Sequence, residues 1–223
     1  IVTPLLLNER LSKKFNSRIF LKREDLQKVR SFKIRGAFNK IKSLDLDNSK
    51  DKQIICASAG NHAQGFAYSC KKLKIFGTVY MPETTPKQKV DRVKMFGGDF
   101  IKIILIGDNF DDAQKEAQKK INDDTIFIHP FDDNNVIEGQ GTIALELLNQ
   151  IDKHFDYLII PDTLFLLSWK EGDRFIPFSS DKSIKVKRVF KNEKIFYVGA
   201  ATVPQLISLY KRSKYFLHLA WLD

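Results

Sequence analysis

Apolar positions along this chain follow two alternating spacings. Short apolar runs of strand length occupy 19–22, 53–57, 77–81, 100–106, 125–128 and 157–160. Between them lie polar-rich stretches whose apolar residues return every three or four positions, the spacing of a helix with one buried face. The spacing predicts helices over 8–15, 31–43, about 61–73, 85–97, 109–122 and 143–148. Strands that alternate with helices of this length indicate a parallel sheet covered by helices.

Local signals sharpen several boundaries. Thr3-Pro4-Leu5 opens an extended segment, because proline biases its predecessor away from helix. Ser31 is a suitable N-cap, and Ile34, Phe38 and Ile41 follow it as a stripe. Thr85 followed by Pro86 reads as a cap and first helical position, and Gly97-Gly98 as the stop of that helix. Gly139-Gln140-Gly141-Thr142 is expected to precede the apolar helix 143–148. Residues 45–52 read as a polar loop. After Pro161 the character changes: the remainder holds both tryptophans and few glycines, and no longer reads as alternating strand and helix. There is no internal repeat.

The chain has 223 residues and is 43% hydrophobic, enough for one large or two small domains with a sizeable core. No apolar run approaches the roughly 20 residues of a membrane helix. The start, Ile1-Val2-Thr3-Pro4, has neither a signal peptide's basic region nor its apolar one, and it lacks an initiator Met, so the first residues are expected to be missing. Cys56 and Cys70 fall in a predicted strand and helix and read as buried reduced thiols of a cytoplasmic protein. The four histidines, His62, His129, His154 and His218, have no metal-ligand spacing. The formal charge of +10 is spread over predicted helix faces and interleaved with acids. No nucleic-acid motif accompanies it, so no nucleic-acid partner is expected.

Two places carry candidate chemistry. Lys33 falls in the first turn of the helix that starts near Ser31, where the dipole is positive. An amine held there is biased toward its neutral, nucleophilic form, the form that imine chemistry needs. Taken alone, it equally fits a solvated lysine at a surface helix end. The second place is Ser58-Ala59-Gly60-Asn61-His62, where a strand end feeds a helix through small residues. Such a turn exposes backbone amides that, with the dipole, bind an anion. It also fits an ordinary serine-capped turn.

The run Ser31-Phe32-Lys33-Ile34-Arg35-Gly36-Ala37, with Leu21-Lys22-Arg23-Glu24-Asp25-Leu26 before it and Ala57-Ser58-Ala59-Gly60-Asn61-His62-Ala63-Gln64-Gly65 after it, resembles the threonine dehydratases. These are threonine ammonia-lyases of the pyridoxal-phosphate fold type II class. The resemblance is collinear from Thr3 to about Pro161. It implies an α/β fold, tryptophan synthase β-like, with two open parallel-sheet domains. A small inserted domain is expected over 37–128. A larger cofactor domain, lacking its C-terminal part, is expected from 1–36 with 129–223.

The resemblance further implies pyridoxal 5'-phosphate, held as an imine on Lys33, with Phe32 against its ring and Asn61 on its phenolic oxygen. Ser58, Ala59, Gly60, Asn61 and His62 would bind the substrate carboxylate. The implied reaction dehydrates and deaminates L-threonine to 2-oxobutanoate and ammonia, or L-serine to pyruvate, with Lys33 taking the α-proton. Alternatives of the same fold are a serine dehydratase or racemase. The family also implies a cytoplasmic homo-oligomer in amino-acid metabolism, such as isoleucine biosynthesis. Arg35, Glu24, Asp25, Gln140 and Thr142 are assigned structural roles.

The sequence departs from the family after 157–161. The family follows that strand with four glycines whose amides cradle the cofactor phosphate. Here the chain reads Pro161-Asp162-Thr163-Leu164-Phe165-Leu166-Leu167. Glu171-Gly172-Asp173-Arg174-Phe175-Ile176 resembles a displaced remnant of the run. Residues 194–198 resemble the family's next strand, and 204–214 the helix after it. This tail reads as a damaged continuation of the same gene or, equally, as a frameshifted or error-bearing sequence. It makes a non-catalytic remnant the alternative of a different class.

Overall fold

The computed structural model describes residues 1–44 and 52–151, together with the backbone of the strands at 157–159 and 215–219. Residues 162–176, 194–198 and 204–214, on which the reading of the tail rests, lie outside the described residues. The chain divides into two compact units, Ile1–Gln27 with Gly141–Asp223, and Lys28–Gln140. Lys33, the Ser58–His62 loop and the segment around Pro130 all belong to the second.

In the first unit, β1 (Leu5–Leu7) pairs antiparallel with β2 (Arg18–Lys22). The connecting helix α1 (Glu9–Phe15) is capped by Asn8, whose side chain accepts the Leu11 amide at 2.9 Å. A strand at 215–219, which no sequence signal marked, lies parallel to β2, and Tyr157–Ile159 lies parallel to that strand in turn. Calling these β7 (Tyr157–Ile159) and β8 (Tyr215–Leu219), the sheet order is β1-β2-β8-β7.

The second unit is the alternating α/β pattern that the spacing predicts. It contains α2 (Lys33–Lys42), β3 (Gln53–Ala57), α3 (Asn61–Leu73), β4 (Gly77–Met81), α4 (Lys87–Gly97), β5 (Ile101–Leu105), α5 (Phe110–Gln118) and β6 (Thr125–Phe127). The four strands are all parallel, in the order β5-β4-β3-β6. Strand period sorts the core onto both faces of this sheet. Ile54, Cys56, Val79 and Met81 pack with Phe66, Ile41 and Val93, whereas Ile55, Ala57 and Tyr80 pack with Ala117. Cys56 and Cys70 are buried free thiols.

Several boundaries differ from the sequence expectation, including the end of α5 at Gln118 rather than 122. Helix α2 begins at Lys33 rather than Ser31, although the Ser31 hydroxyl still accepts the Lys33 amide at 3.3 Å. Pro86, not Thr85, stands at the cap of α4, and its carbonyl takes the amides of Lys89 and Val90. Helix α6 spans Asn134–Gln150 and runs straight through Gly139 and Gly141. Interior glycine costs a helix about 1 kcal/mol, so packing must require it. A Cβ on Gly139 would lie 2.5 Å from the Arg35 carbonyl oxygen, and one on Gly36 would lie 2.7 Å from that of Val136. The glycines let α2 and the start of α6 approach backbone to backbone, and this overrides propensity.

Candidate active site

Lys33 is the first residue of α2, and its side chain is turned into the protein, with only 9% of the residue exposed. Its Nζ donates to the Pro130 carbonyl at 2.9 Å and lies 5.3 Å from the centroid of the Phe32 ring. Phe32 is itself buried. No carboxylate pairs with the amine among the described residues. Burial without a counter-ion lowers the Lys33 pKa to about 8. The position in the first helical turn acts in the same direction, but burial is the principal cause.

The second constellation sits at the carboxyl end of β3. The Ser58 hydroxyl accepts the Gly60 amide at 3.2 Å and shapes the turn into α3. Ser58 is buried, while Ala59, Gly60 and Asn61 are half-buried. A Cβ on Gly60 would meet nothing within 4 Å, so open space adjoins the loop. The first amides of α3 lack intrahelical acceptors, as at any helix start, and point out of it with the positive end of the dipole.

Gly65, one helical turn beyond Asn61, joins the two constellations. A Cβ there would lie 3.1 Å from the Lys33 carbonyl carbon and 3.0 Å from the Ile34 nitrogen. The start of α2 thus rests on α3 at a point where no side chain intervenes. His62 is fully buried, and its Nε2 lies 3.1 Å from the Ile128 carbonyl. A carbonyl only accepts, so Nε2 carries the proton and Nδ1 presents a lone pair. That Nδ1 is buried with no hydrogen-bond partner among the described residues. Burial, followed by the charge of Lys33, lowers the His62 pKa to about 3, against the opposing bond to Ile128. The imidazole is therefore neutral at physiological pH.

Lys33 and His62 thus bond to two carbonyls only two residues apart, Pro130 and Ile128. The sequence gives this segment no recognised role. The signal that could have found it is Asp133, whose carboxylate accepts the amides of Asn135 and Val136 and so caps α6. The remaining charges behave as structural groups. Arg23 makes two bonds to Asp25, and Glu24 accepts from the Thr3 hydroxyl and from Gln27.

A buried amine of lowered pKa, packed beside a helix start, is a constellation shared by many folds, and comparison with known proteins narrows it. Residues 1–161 match the profile described as pyridoxal-phosphate dependent enzyme. The chain belongs to that family. Within the pyridoxal-phosphate dependent enzymes it is 54% identical over 159 residues to L-threonine dehydratase biosynthetic IlvA of Bacillus subtilis (strain 168), covering 71% of this chain and 37% of that protein. It is 52% identical over 157 residues to the protein of the same name from Halalkalibacterium halodurans, covering 70% and 38%. Among solved structures, it superposes on the processed form of threonine deaminase isoform 2 from Solanum lycopersicum. The TM-score there is 0.71 at 38% identity, covering 89% of this chain and 54% of that one. The chain thus spans less than two fifths of the length of these curated relatives. The fold is that of pyridoxal-phosphate fold type II.

The residues present suit the family's cofactor. An aldehyde needs a neutral amine, and Lys33 supplies one whose pKa lies near 8. A flat ring needs an apolar wall and room; the apolar Phe32 ring lies 5.3 Å from the Lys33 Nζ, and open space adjoins Gly60. The cradle for its phosphate, expected after 157–161, falls outside the described residues. No helix among the described residues is long and apolar enough to cross a membrane.

Proposed function

We propose that this chain is part of a threonine ammonia-lyase that uses pyridoxal phosphate to convert L-threonine to 2-oxobutanoate and ammonia, and L-serine to pyruvate. The observation that carries the reading is the Lys33 amine: buried, without a counter-ion among the described residues, and carried on a helix start whose backbone packs against α3 at Gly65. Likeness at 52–54% identity to proteins named biosynthetic threonine dehydratase supports threonine as substrate and a biosynthetic role.

In this reading Lys33 holds the cofactor and, once released, serves as the base that takes the α-proton. A pKa of about 8 leaves a useful neutral fraction near physiological pH. The loop of Ser58, Ala59, Gly60, Asn61 and His62 receives the substrate carboxylate, with the Ser58 amide already engaged by the Tyr80 carbonyl and the Gly60 amide by the Ser58 hydroxyl, and the positive end of α3 favours the anion by about 0.3–1 kcal/mol. The Asn61 side chain orients the ring through its phenolic oxygen, and Phe32 packs against the ring. When bound, the cofactor supplies the electron sink that makes the α-proton removable. The neutral His62 adds no positive charge beside Lys33 that would lower the amine's basicity further.

The test is a pyridoxal-phosphate titration of the 223-residue chain followed by visible absorbance. Borohydride reduction and peptide mapping locate the adduct, and 2-oxobutanoate is assayed with threonine, pyruvate with serine. The expected adduct is at Lys33, and Lys33→Ala removes both adduct and absorbance. An adduct on another lysine overturns the site. Binding at Lys33 without 2-oxobutanoate favours a remnant that has kept the fold. Release of D-serine favours a racemase.

A further inference from the structure

We propose that His129 is a positioning residue for the Lys33 amine: its Nδ1 closes the turn that aims the Pro130 carbonyl at Nζ of Lys33. This rests on the reading of Lys33 as the reactive amine and adds the device that seats it. His129 Nδ1 lies 2.7 Å from the Asp132 amide and 3.3 Å from the Phe131 amide. Both are donors, so Nδ1 is the unprotonated nitrogen and Nε2 carries the hydrogen. One ring lone pair thus gathers the amides two and three residues ahead, as the carboxamide oxygen of an asparagine does in an Asx turn. Pro130, which cannot itself donate, sits inside this turn and presents its carbonyl to Lys33.

The turn is braced on both sides. The Phe131 ring stands edge-on to the His129 ring at 4.5 Å between centroids, and the Phe127 ring lies 6.0 Å away. Downstream, Asp133 caps α6 and pairs with Lys40 of α2 at 2.7 Å. Upstream, Ile128 takes the bond from His62. The charged and titratable groups that face His129 are Asp132 and Asp133 on its own segment, Lys33 from α2 and His62 from α3. Protonation of Nδ1 would set a donor against two donors and open the turn. Burial first, and Lys33 in addition, hold the ring neutral against the two aspartates, and its pKa lies below the usual histidine value.

Opening the turn would remove the carbonyl seat and admit water to the amine. The desolvation that holds Lys33 low would then relax. The experiment uses the whole chain without cofactor. Trace acetylation by acetic anhydride across a pH series, with peptide mass spectrometry, gives the titration midpoint of Lys33 separately from its accessibility. The wild-type midpoint is expected near 8. His129→Ala should move it toward the ordinary lysine value of about 10.4, lowering the free-amine fraction at pH 8 by about tenfold or more. His129→Asn, which keeps an acceptor at the same place, should restore the wild-type midpoint. A folded His129→Ala chain with an unchanged midpoint overturns the proposal. A wild-type midpoint near 10.4 overturns instead the reading of Lys33 itself. Should His129→Ala fail to fold, imidazole nitrogen NMR of the wild type decides: an unprotonated Nδ1 at His129 upholds the turn, and a protonated one overturns it.

Discussion

Two buried lysines, one in each compact unit, show opposite solutions to the same problem. Lys22, at the end of β2, is fully buried and gives its ammonium three acceptors: Glu146 at 2.5 Å, the Thr3 carbonyl at 2.6 Å and Gln150 at 2.8 Å. An ammonium has three protons, and here each has an oxygen, one of them anionic. Lys33 is nearly as buried but bonds, among the described residues, to one neutral carbonyl. The first lysine has its hydrogen-bonding needs met by fixed partners as part of the structure. The second has its charge penalised, which leaves the amine ready for chemistry. A buried lysine becomes reactive through the partners it lacks, since desolvation lowers its pKa only when no carboxylate restores it.

The largest effect that could break this comparison is at Lys22. Lys22→Met leaves the Glu146 carboxylate buried beside an apolar group and should cost about 3–5 kcal/mol. Urea unfolding measures this, and a cost below about 1 kcal/mol would show that Lys22 is no more committed to structure than Lys33. The same substitution at Lys33 should act in the opposite direction. The folded pKa of about 8 lies below the unfolded 10.5, so the folded state loses stability as pH falls from 10.5 through 8. Lys33→Met should therefore stabilise the chain by up to about 3 kcal/mol at pH 7, and the gain should fade toward pH 10.5. Denaturation midpoints at the two ends of that range decide it.

Gly65→Ala sharpens the contrast without touching either amine. Its Cβ would press on the Lys33 and Ile34 backbone, so we expect about 1–3 kcal/mol of destabilisation and a lower yield of borohydride-trapped adduct at Lys33. Thermal unfolding and peptide mapping measure the two effects, and an unchanged adduct yield would mean that α3 does not set the position of Lys33. Smallest is Ser31→Ala, which removes the acceptor of the Lys33 amide. A loss of about 0.5–1 kcal/mol in chemical unfolding is expected, with the acetylation midpoint of Lys33 unmoved, because the backbone bond does not solvate the amine.

Much of the second unit was legible because its signals are local. The apolar runs at 53–57 and 77–81 mark β3 and β4, which lie where the pattern puts them, and Ile54, Cys56, Val79 and Met81 share one face of the sheet. The helix stripe of Ile34 and Ile41 is buried as its spacing requires, whereas Phe38 is only half-buried. The start of α4 was misread because a threonine before proline looks like a cap whether or not its hydroxyl turns toward the helix. The glycines at 139 and 141 were misread for a different reason. Their local cost argues for a helix start, and only the backbone of α2 lying against Gly139 explains why the helix continues. The strand at 215–219 had no signal, since its place between β2 and β7 is a long-range pairing.

The sequence by itself determined the parallel α/β pattern of the second unit, the lysine at a helix start and the small-residue loop after β3, because period, capping and turn chemistry act over a few residues. It also determined kinship, through motifs whose order and spacing survive along 1–161. Tertiary structure alone decided that Lys33 is buried with no counter-ion among the described residues while Lys22 is bonded to Glu146, Thr3 and Gln150. It alone brought His62, Lys33 and the turn closed by His129 onto one short segment. Basicity depends on which groups surround an amine in space, and residues that meet across nearly a hundred positions of chain leave no periodic trace in the sequence.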